Sequence, residues 1–247
     1  MPVISIVNQK GGTGKTTTSI NLGSALASLG KKVLLVDMDS QGNLGYSLGL
    51  DEGPSISDVF EGTVEVKDVI QQREGIDIVP SDMRLVDIEL SLVEMEDRQT
   101  FLKSKLKGFT SKYDYILIDC PPSLSILALN ALYASDAVII PMLMEVLSLQ
   151  GLDQIIETIN KVNKTYDKDL QIKGILPVMV DKRRKLSEEV KEYINENYEV
   201  KIFDSMIRNN VKASEAPSFG QSVISYAPSS NSAKDYMAFA KEIVGLN

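Results

Sequence analysis

Between the short apolar run Val3–Asn8 (VISIVN) and the amphipathic stretch Thr16–Leu29 lies Lys10–Thr17, KGGTGKTT, and few backbones satisfy all three at once. The β-branched run predicts a strand, and the second stretch predicts a helix closed at Gly30. Gly11, Gly12 and Gly14 in the connection let backbone N–H groups curl toward one point, which the positive end of the helix also faces. Such a point is an anion site, and phosphate is its natural occupant. A glycine-rich turn alone serves equally as a plain strand-to-helix connection. The added Gly-Lys-Thr decides for ATP, cradled by Gly11, Gly12, Thr13, Gly14 and Thr17, with Lys15 on the β- and γ-phosphates and the Thr16 hydroxyl on Mg²⁺.

The rest of the chain repeats the alternation. Val33–Asp37 (VLLVD), Tyr115–Asp119 (YILID), Ala137–Pro141 (AVIIP) and Ile172–Met179 (IKGILPVM) read as buried strands, with Ile76–Pro80 (IDIVP) a shorter one. Leu152–Lys164 sets Leu152, Ile155, Ile156, Ile159 and Val162 on one helical face. Ser187–Tyr198 opens on a serine cap with acidic residues behind it, and Ser232–Val244 is amphipathic. Strands alternating with covering helices predict an α/β fold: a doubly wound, mostly parallel sheet with helices on both faces. With no repeat, low-complexity tract or linker in 247 residues, a single domain over 1–247 is expected. Gln41–Gly62, rich in Gly, Ser and Asp, is expected to form loops and short helices.

Two carboxylate positions stand at the C-terminal ends of these strands, where a doubly wound sheet binds its ligand. Asp119 closes YILID and is placed to hold Mg²⁺ through water; the plainer alternative is an aspartate that merely ends a strand. Pro121 and Pro122 behind it suggest a stiff loop able to sense the γ-phosphate. In Asp37-Met38-Asp39, Asp39 is the residue expected to orient the attacking water or the metal shell, with Asp37 more buried and structural; solvated turn residues are the alternative.

Composition narrows the chemistry. The chain has no histidine, which removes Ser-His-Asp and Cys-His nucleophiles and any His-ligated zinc. The single cysteine, Cys120, removes an intrachain disulfide and a multi-cysteine metal site, and fits a reducing cytoplasm. A net charge of −8 means that any nucleic-acid contact is local. The first residues lack the basic start and apolar core of a secretion signal, and no apolar run approaches the ~20 residues of a membrane helix, so a cytoplasmic chain with no membrane contact is expected.

With its extra lysine ahead of the glycines, KGGTGKTT resembles the deviant Walker A motif of the ParA/MinD group of P-loop ATPases. The resemblance to the ParA/Soj branch covers nearly the whole chain, through VNQKGGTGKTTTSINLGSALASLGKKVLLVDMDSQGN, YDYILIDCPPSLSILALNAL and ASEAPSFGQSVISYAPSS. It implies a slow, partner-stimulated ATP hydrolase that dimerises with ATP sandwiched between two copies. It also implies binding of nonspecific double-stranded DNA, and chromosome or plasmid partition with a ParB-like adaptor protein. Lys10 is implied to be the signature lysine that reaches the partner's ATP, Asp39 matches the hydrolysis aspartate, and Met179 and Pro217 fall in the segments that surround the adenine. Ser40 departs from the usual proline, and Asn209 stands where many members carry arginine.

For DNA the candidates are the compact run Lys182, Arg183, Arg184 and Lys185, joined by Arg208 and Lys212. These would contact phosphates rather than bases. A solvated turn, offset by Glu188, Glu189 and Glu192, is the alternative. Rival functions on the same chemistry are a MinD-like membrane-positioning ATPase, a cargo-positioning ATPase acting on protein assemblies, and a nonhydrolysing ATP sensor. The first needs a basic amphipathic tail, and KDYMAFAKEIVGLN reads instead as a packing helix. Iron-protein-like reductases need two cysteines per subunit, and the tyrosine kinases of this fold need a C-terminal tyrosine cluster; the chain has neither.

Overall fold

Every residue of Val33–Asp37 and of Tyr115–Asp119 is buried, as continuous apolar strands require when a sheet is covered on both faces. The computed structural model describes residues 2–181 and 185–245, without the side chains of Lys185 and Leu186. The strands are β1 (Val3–Ile6), β2 (Val33–Asp37), β3 (Gln71–Arg73), β4 (Ile76–Val79), β5 (Tyr115–Asp119), β6 (Ala137–Met142) and β7 (Gln171–Pro177). They form one sheet in the order β3-β4-β2-β5-β1-β6-β7, parallel except for β3.

From β1 the chain builds first toward β2 and β4 and later toward β6 and β7, so the order reverses at β1. In open α/β sheets a ligand crevice lies outside the strand carboxyl ends at such a reversal. Register brings Asp37 beside Asp119 there, and Ile6 beside Asp119 from the other side.

The helices are α1 (Lys15–Ser28), α2 (Asn43–Ser47), α3 (Ile56–Glu61), α4 (Leu85–Val93), α5 (Phe101–Leu106), α6 (Ile126–Ala134), α7 (Leu149–Tyr166), α8 (Lys185–Asn197), α9 (Val211–Glu215), α10 (Val223–Tyr226) and α11 (Asn231–Gly245). Alternate strand residues face two cores: Leu34, Val36, Ile116 and Ile118 pack beneath α3 to α8, and Leu35, Val33, Tyr115 and Leu117 beneath α1, α10 and α11. The α11 face of Tyr236, Phe239, Ala240 and Ile243 is buried in that second core, where the Tyr236 and Thr18 hydroxyls share a hydrogen bond of 3.3 Å.

Sequence did not anticipate β3, α4, α5, α6, α9 or α10. β3 is an antiparallel edge strand, QQR, too polar and short to show a period; it pairs with β4 through a turn in which Glu74 and Gly75 both hold positive φ, the geometry that matches strand twist. α4 and α6 carry apolar residues around most of their circumference, which erases the helical period.

Candidate functional site

The loop between β1 and α1 is held in shape by its own side chains. The Asn8 amide donates to the Pro141 carbonyl at 2.7 Å, while its Oδ1 accepts the Lys10 N–H at 3.0 Å. The Thr13 hydroxyl donates to the Lys10 carbonyl at 3.1 Å. Gly12 and Gly14 sit at φ of 73° and 74°, a left-handed conformation that a side chain resists. Gly14 caps α1 and supplies no side chain to its first N–H groups, which leaves that helix end to an anion.

A cleft of about 490 Å³ opens over this loop, within the size range of small-molecule sites. Gly11, Gly12, Gly14, Lys15, Thr16 and Thr17 form its floor; Asp39, Gln41, Asn43 and Tyr46 form one wall. Ala216, Pro217 and Gln221 form the other, and Pro122 stands at a further edge.

Charge is concentrated beneath the floor. Asp37 and Asp119 are both fully buried. Asp37 accepts the Asp39 N–H at 3.0 Å and the Leu44 N–H at 3.4 Å; burial, reinforced by Asp119, holds its carboxyl well above the usual range. Burial pushes Asp119 up to about 6, against the Thr16 and Ser19 hydroxyls and the Lys15 ammonium. Ser19 donates to its Oδ1 at 3.0 Å, and its Oδ2 has no hydrogen-bond partner. Burial lowers Lys15, opposed first by Asp119. An orphaned carboxylate oxygen beside Thr16 suits a cation carried in with the ligand. Among the described residues no cluster of three or more Asp, Glu, Cys or His side chains could hold a metal unaided. Mg²⁺ has that requirement, since it keeps its waters and leans on one or two protein oxygens plus phosphates. Cys120 is buried, and burial pushes its thiol up to about 12, so it carries no thiolate chemistry at neutral pH.

Other candidates lie apart. Lys10 does not line its own cleft; its ammonium lies 3.9 Å from Glu145. Thr13 is buried within the loop, and Met179, at φ of 52°, lies beside Gly14 rather than among the lining residues. Lys182, Arg183 and Arg184 lie outside the described residues, as does the Lys185 side chain. Arg208 is clamped by Asp235 through contacts of 2.6 to 3.1 Å, and Lys212 pairs with Glu215 at 2.7 Å.

Sequence reasoning missed Asn21, Gln41, Asn43, Tyr46 and Gln221, which reach the cleft only through tertiary contacts. Asn21 accepts the Val223 N–H at 2.7 Å, and Glu74 accepts from the Ser222 N–H at 3.0 Å and from Ser24 at 2.9 Å. Next to Glu74, Arg73 donates to the carbonyls of Leu48 and Gly49 at 3.0 and 2.9 Å. Gly49 and Gly220, both at positive φ, touch backbone to backbone; a Cβ on Gly49 would lie 3.3 Å from the Gly220 Cα. The two walls thus meet at that point.

Comparison with known proteins agrees with this architecture. Residues 1–172 match the family model of an AAA domain. The chain is 43% identical over 246 residues to the sporulation initiation inhibitor protein Soj of Bacillus subtilis, covering 98% of this chain and 97% of that one. It is 40% identical to the chromosome partitioning protein ParA of Caulobacter vibrioides, with 98% and 93% coverage. Among solved structures, cobyrinic acid a,c-diamide synthase of Mycobacterium smegmatis with bound ADP and magnesium superposes with a TM-score of 0.86 at 33% identity, over 99% of this chain and 94% of that one.

Proposed function

Because the chain belongs to the ParA/Soj family of partition ATPases, we propose that it is an ATP-operated dimerising switch that binds nonspecific DNA in its ATP state. A ParB-like adaptor stimulates slow hydrolysis, and the cycle drives chromosome or plasmid partition at the nucleoid. The observation that carries this reading is that Lys10 is not among the residues lining its own cleft, whereas Lys15 is. A cation so placed serves a phosphate brought by a second copy, adding positive charge where the transferred phosphoryl group gains negative charge.

Within one copy, Lys15 and the N–H groups of Gly11 to Thr17 hold the phosphates, and Met179 and Pro217 flank the base. Thr16 and, through water, Asp119 would hold Mg²⁺, which would supply positive charge against the phosphates. Asp39 orients the attacking water; its Oδ1 accepts the Gln41 N–H at 3.1 Å, which fixes the carboxylate at the cleft wall. Lys182 to Lys185 and Lys212 contact DNA phosphates, Lys212 by exchanging its exposed Glu215 for a phosphate. Arg208, clamped by Asp235, joins them through its outer edge. The apolar face of α11 is taken up against the second core, which leaves it none for a bilayer, and no described helix is long and apolar enough to cross one.

The test is fluorescence anisotropy of a random-sequence duplex titrated with protein under ADP, under ATP with Mg²⁺, and under ATP with the Asp39→Ala variant. Binding is expected only with ATP, to persist in the variant, and to weaken steeply with salt. Absence of binding in every state, with ATP binding confirmed, overturns the DNA switch.

A further inference from the structure

The outer surface of α4 carries a row of side chains that the nucleotide chemistry leaves unused. Met83, Val86, Leu90 and Val93 are 60%, 42%, 67% and 53% exposed. Met83 stands in the turn just before the helix, and at about 100° per residue Val86, Leu90 and Val93 fall within an arc of about 60°, while Leu85, Ile88 and Leu92 hold the inner side against the core. Single exposed apolar residues are ordinary, but a contiguous row at this spacing is the anchor pattern of helix docking. Its borders are acidic: Asp87 and Glu94 run along one side, Glu89 along the other, and Glu96 and Asp97 follow the C-terminal end. Of the two nearby guanidiniums, Arg84 is held away from the row by Asp58 and Asp82, while Arg98 is held at its C-terminal end by the Val93 carbonyl, among Glu94, Glu96 and Asp97 in sequence.

We infer that α4 docks a cationic amphipathic helix of a partner protein. Identifying that partner with the hydrolysis-stimulating adaptor rests on the function proposed above. A second copy of α4 would set carboxylates against carboxylates, and an anionic bilayer would repel the same borders. A partner seated on Met83 reaches the nucleotide loop directly. The Gln41 amide donates to the Met83 Sδ at 3.8 Å, and the Gln41 N–H is bound to Asp39. Ser81, two residues before Met83, donates to the Asp39 carbonyl at 2.5 Å. Docking is thereby coupled to the loop that carries Asp39.

The probe is a synthetic helix of about 18 residues with leucines at i, i+3, i+4 and i+7 bordered by arginine and lysine, together with a twin bordered by glutamate. Anisotropy is read on the full chain under ADP without DNA, so the result is independent of the DNA-binding test. The cationic peptide is expected to bind and the anionic twin not to. Leu90→Ser with Val93→Ser, and separately Asp87→Lys with Glu94→Lys, are each expected to weaken binding at least about tenfold, with the charge-reversed variant gaining the twin. Unchanged circular dichroism and ADP affinity establish that both variants are folded. No binding to the parent, or equal affinity for the parent and both variants, overturns the inference. So does binding of the parent to phosphatidylglycerol vesicles, or dimerisation of the parent, that the Leu90→Ser, Val93→Ser variant loses, since either assigns the row to another occupant.

Discussion

The two edges of the sheet bury similar polar side chains in different ways. At the N-terminal edge each group meets a complement: Ser5 and Ser135 share a hydrogen bond of 2.7 Å, Asp136 accepts the Val3 N–H at 2.8 Å, and the Lys168 ammonium donates to carbonyls that end α6. At the C-terminal edge the buried Asp37 and Asp119 stand side by side on paired strands, and Asp119 keeps an unpartnered oxygen. Volume does not distinguish the edges, because a larger hollow of about 730 Å³, lined by Lys103, Tyr133 and Asp136, lies at the N-terminal one. The difference teaches that unresolved charge, rather than room, marks the working edge.

Four measurements sharpen or break that contrast. Lys15→Ala should weaken ATP binding at least about 100-fold, about 2.7 kcal/mol, by isothermal calorimetry; parental affinity would remove the floor from its role. Asp119→Asn should raise the stability of the nucleotide-free chain by about 2 kcal/mol, because it relieves a buried carboxylate pair. The same change should abolish the Mg²⁺ dependence of ATP binding. Denaturant melts that show the variant less stable than the parent would mean that the pair is structurally complementary after all.

At the opposite edge, Lys168→Met should lower stability by about 1 kcal/mol through the unpaired carbonyls and leave ATP affinity unchanged. An altered affinity would mean that the edges communicate. Smallest is a pH effect. Burial brings Lys168 down to about 8, below its unfolded value, so between about 8 and 10.5 the unfolded chain holds the extra proton. The stability of the parent relative to Lys168→Met should therefore rise with pH across that window, by less than about 1 kcal/mol because the group is half exposed. A flat difference would show that the ammonium is not desolvated.

Much of the working edge is legible in sequence because it is local. KGGTGKTT lies on one strand-loop-helix unit, and the strand-ending aspartates converge because parallel strands bring their carboxyl ends to one side. The cleft walls are not local. Tyr46 and Gln221 come from segments far apart in the chain, joined by bonds from Asn21, Arg73 and Glu74 that carry no pattern. The expectation of a second strand starting at Val33 and ending at Asp37 matches β2 residue for residue, since its apolar run is bounded by lysines and an aspartate. α4 escaped notice for the opposite reason: Val86, Leu90 and Val93 add apolar residues to its solvent face and blur the signal of Leu85, Ile88 and Leu92.

The turn at the end of β3 has a consequence for residence time. Arg73 grips one wall of the cleft through Leu48 and Gly49, and its neighbour Glu74 grips the other through Ser222. Two adjacent side chains on the most peripheral hairpin of the sheet act as a buckle across the far side of the cleft. On the proposed function, the escape of a spent nucleotide would be governed partly at a surface turn that does not line the cleft, where drift in sequence would retune the cycle without altering its chemistry.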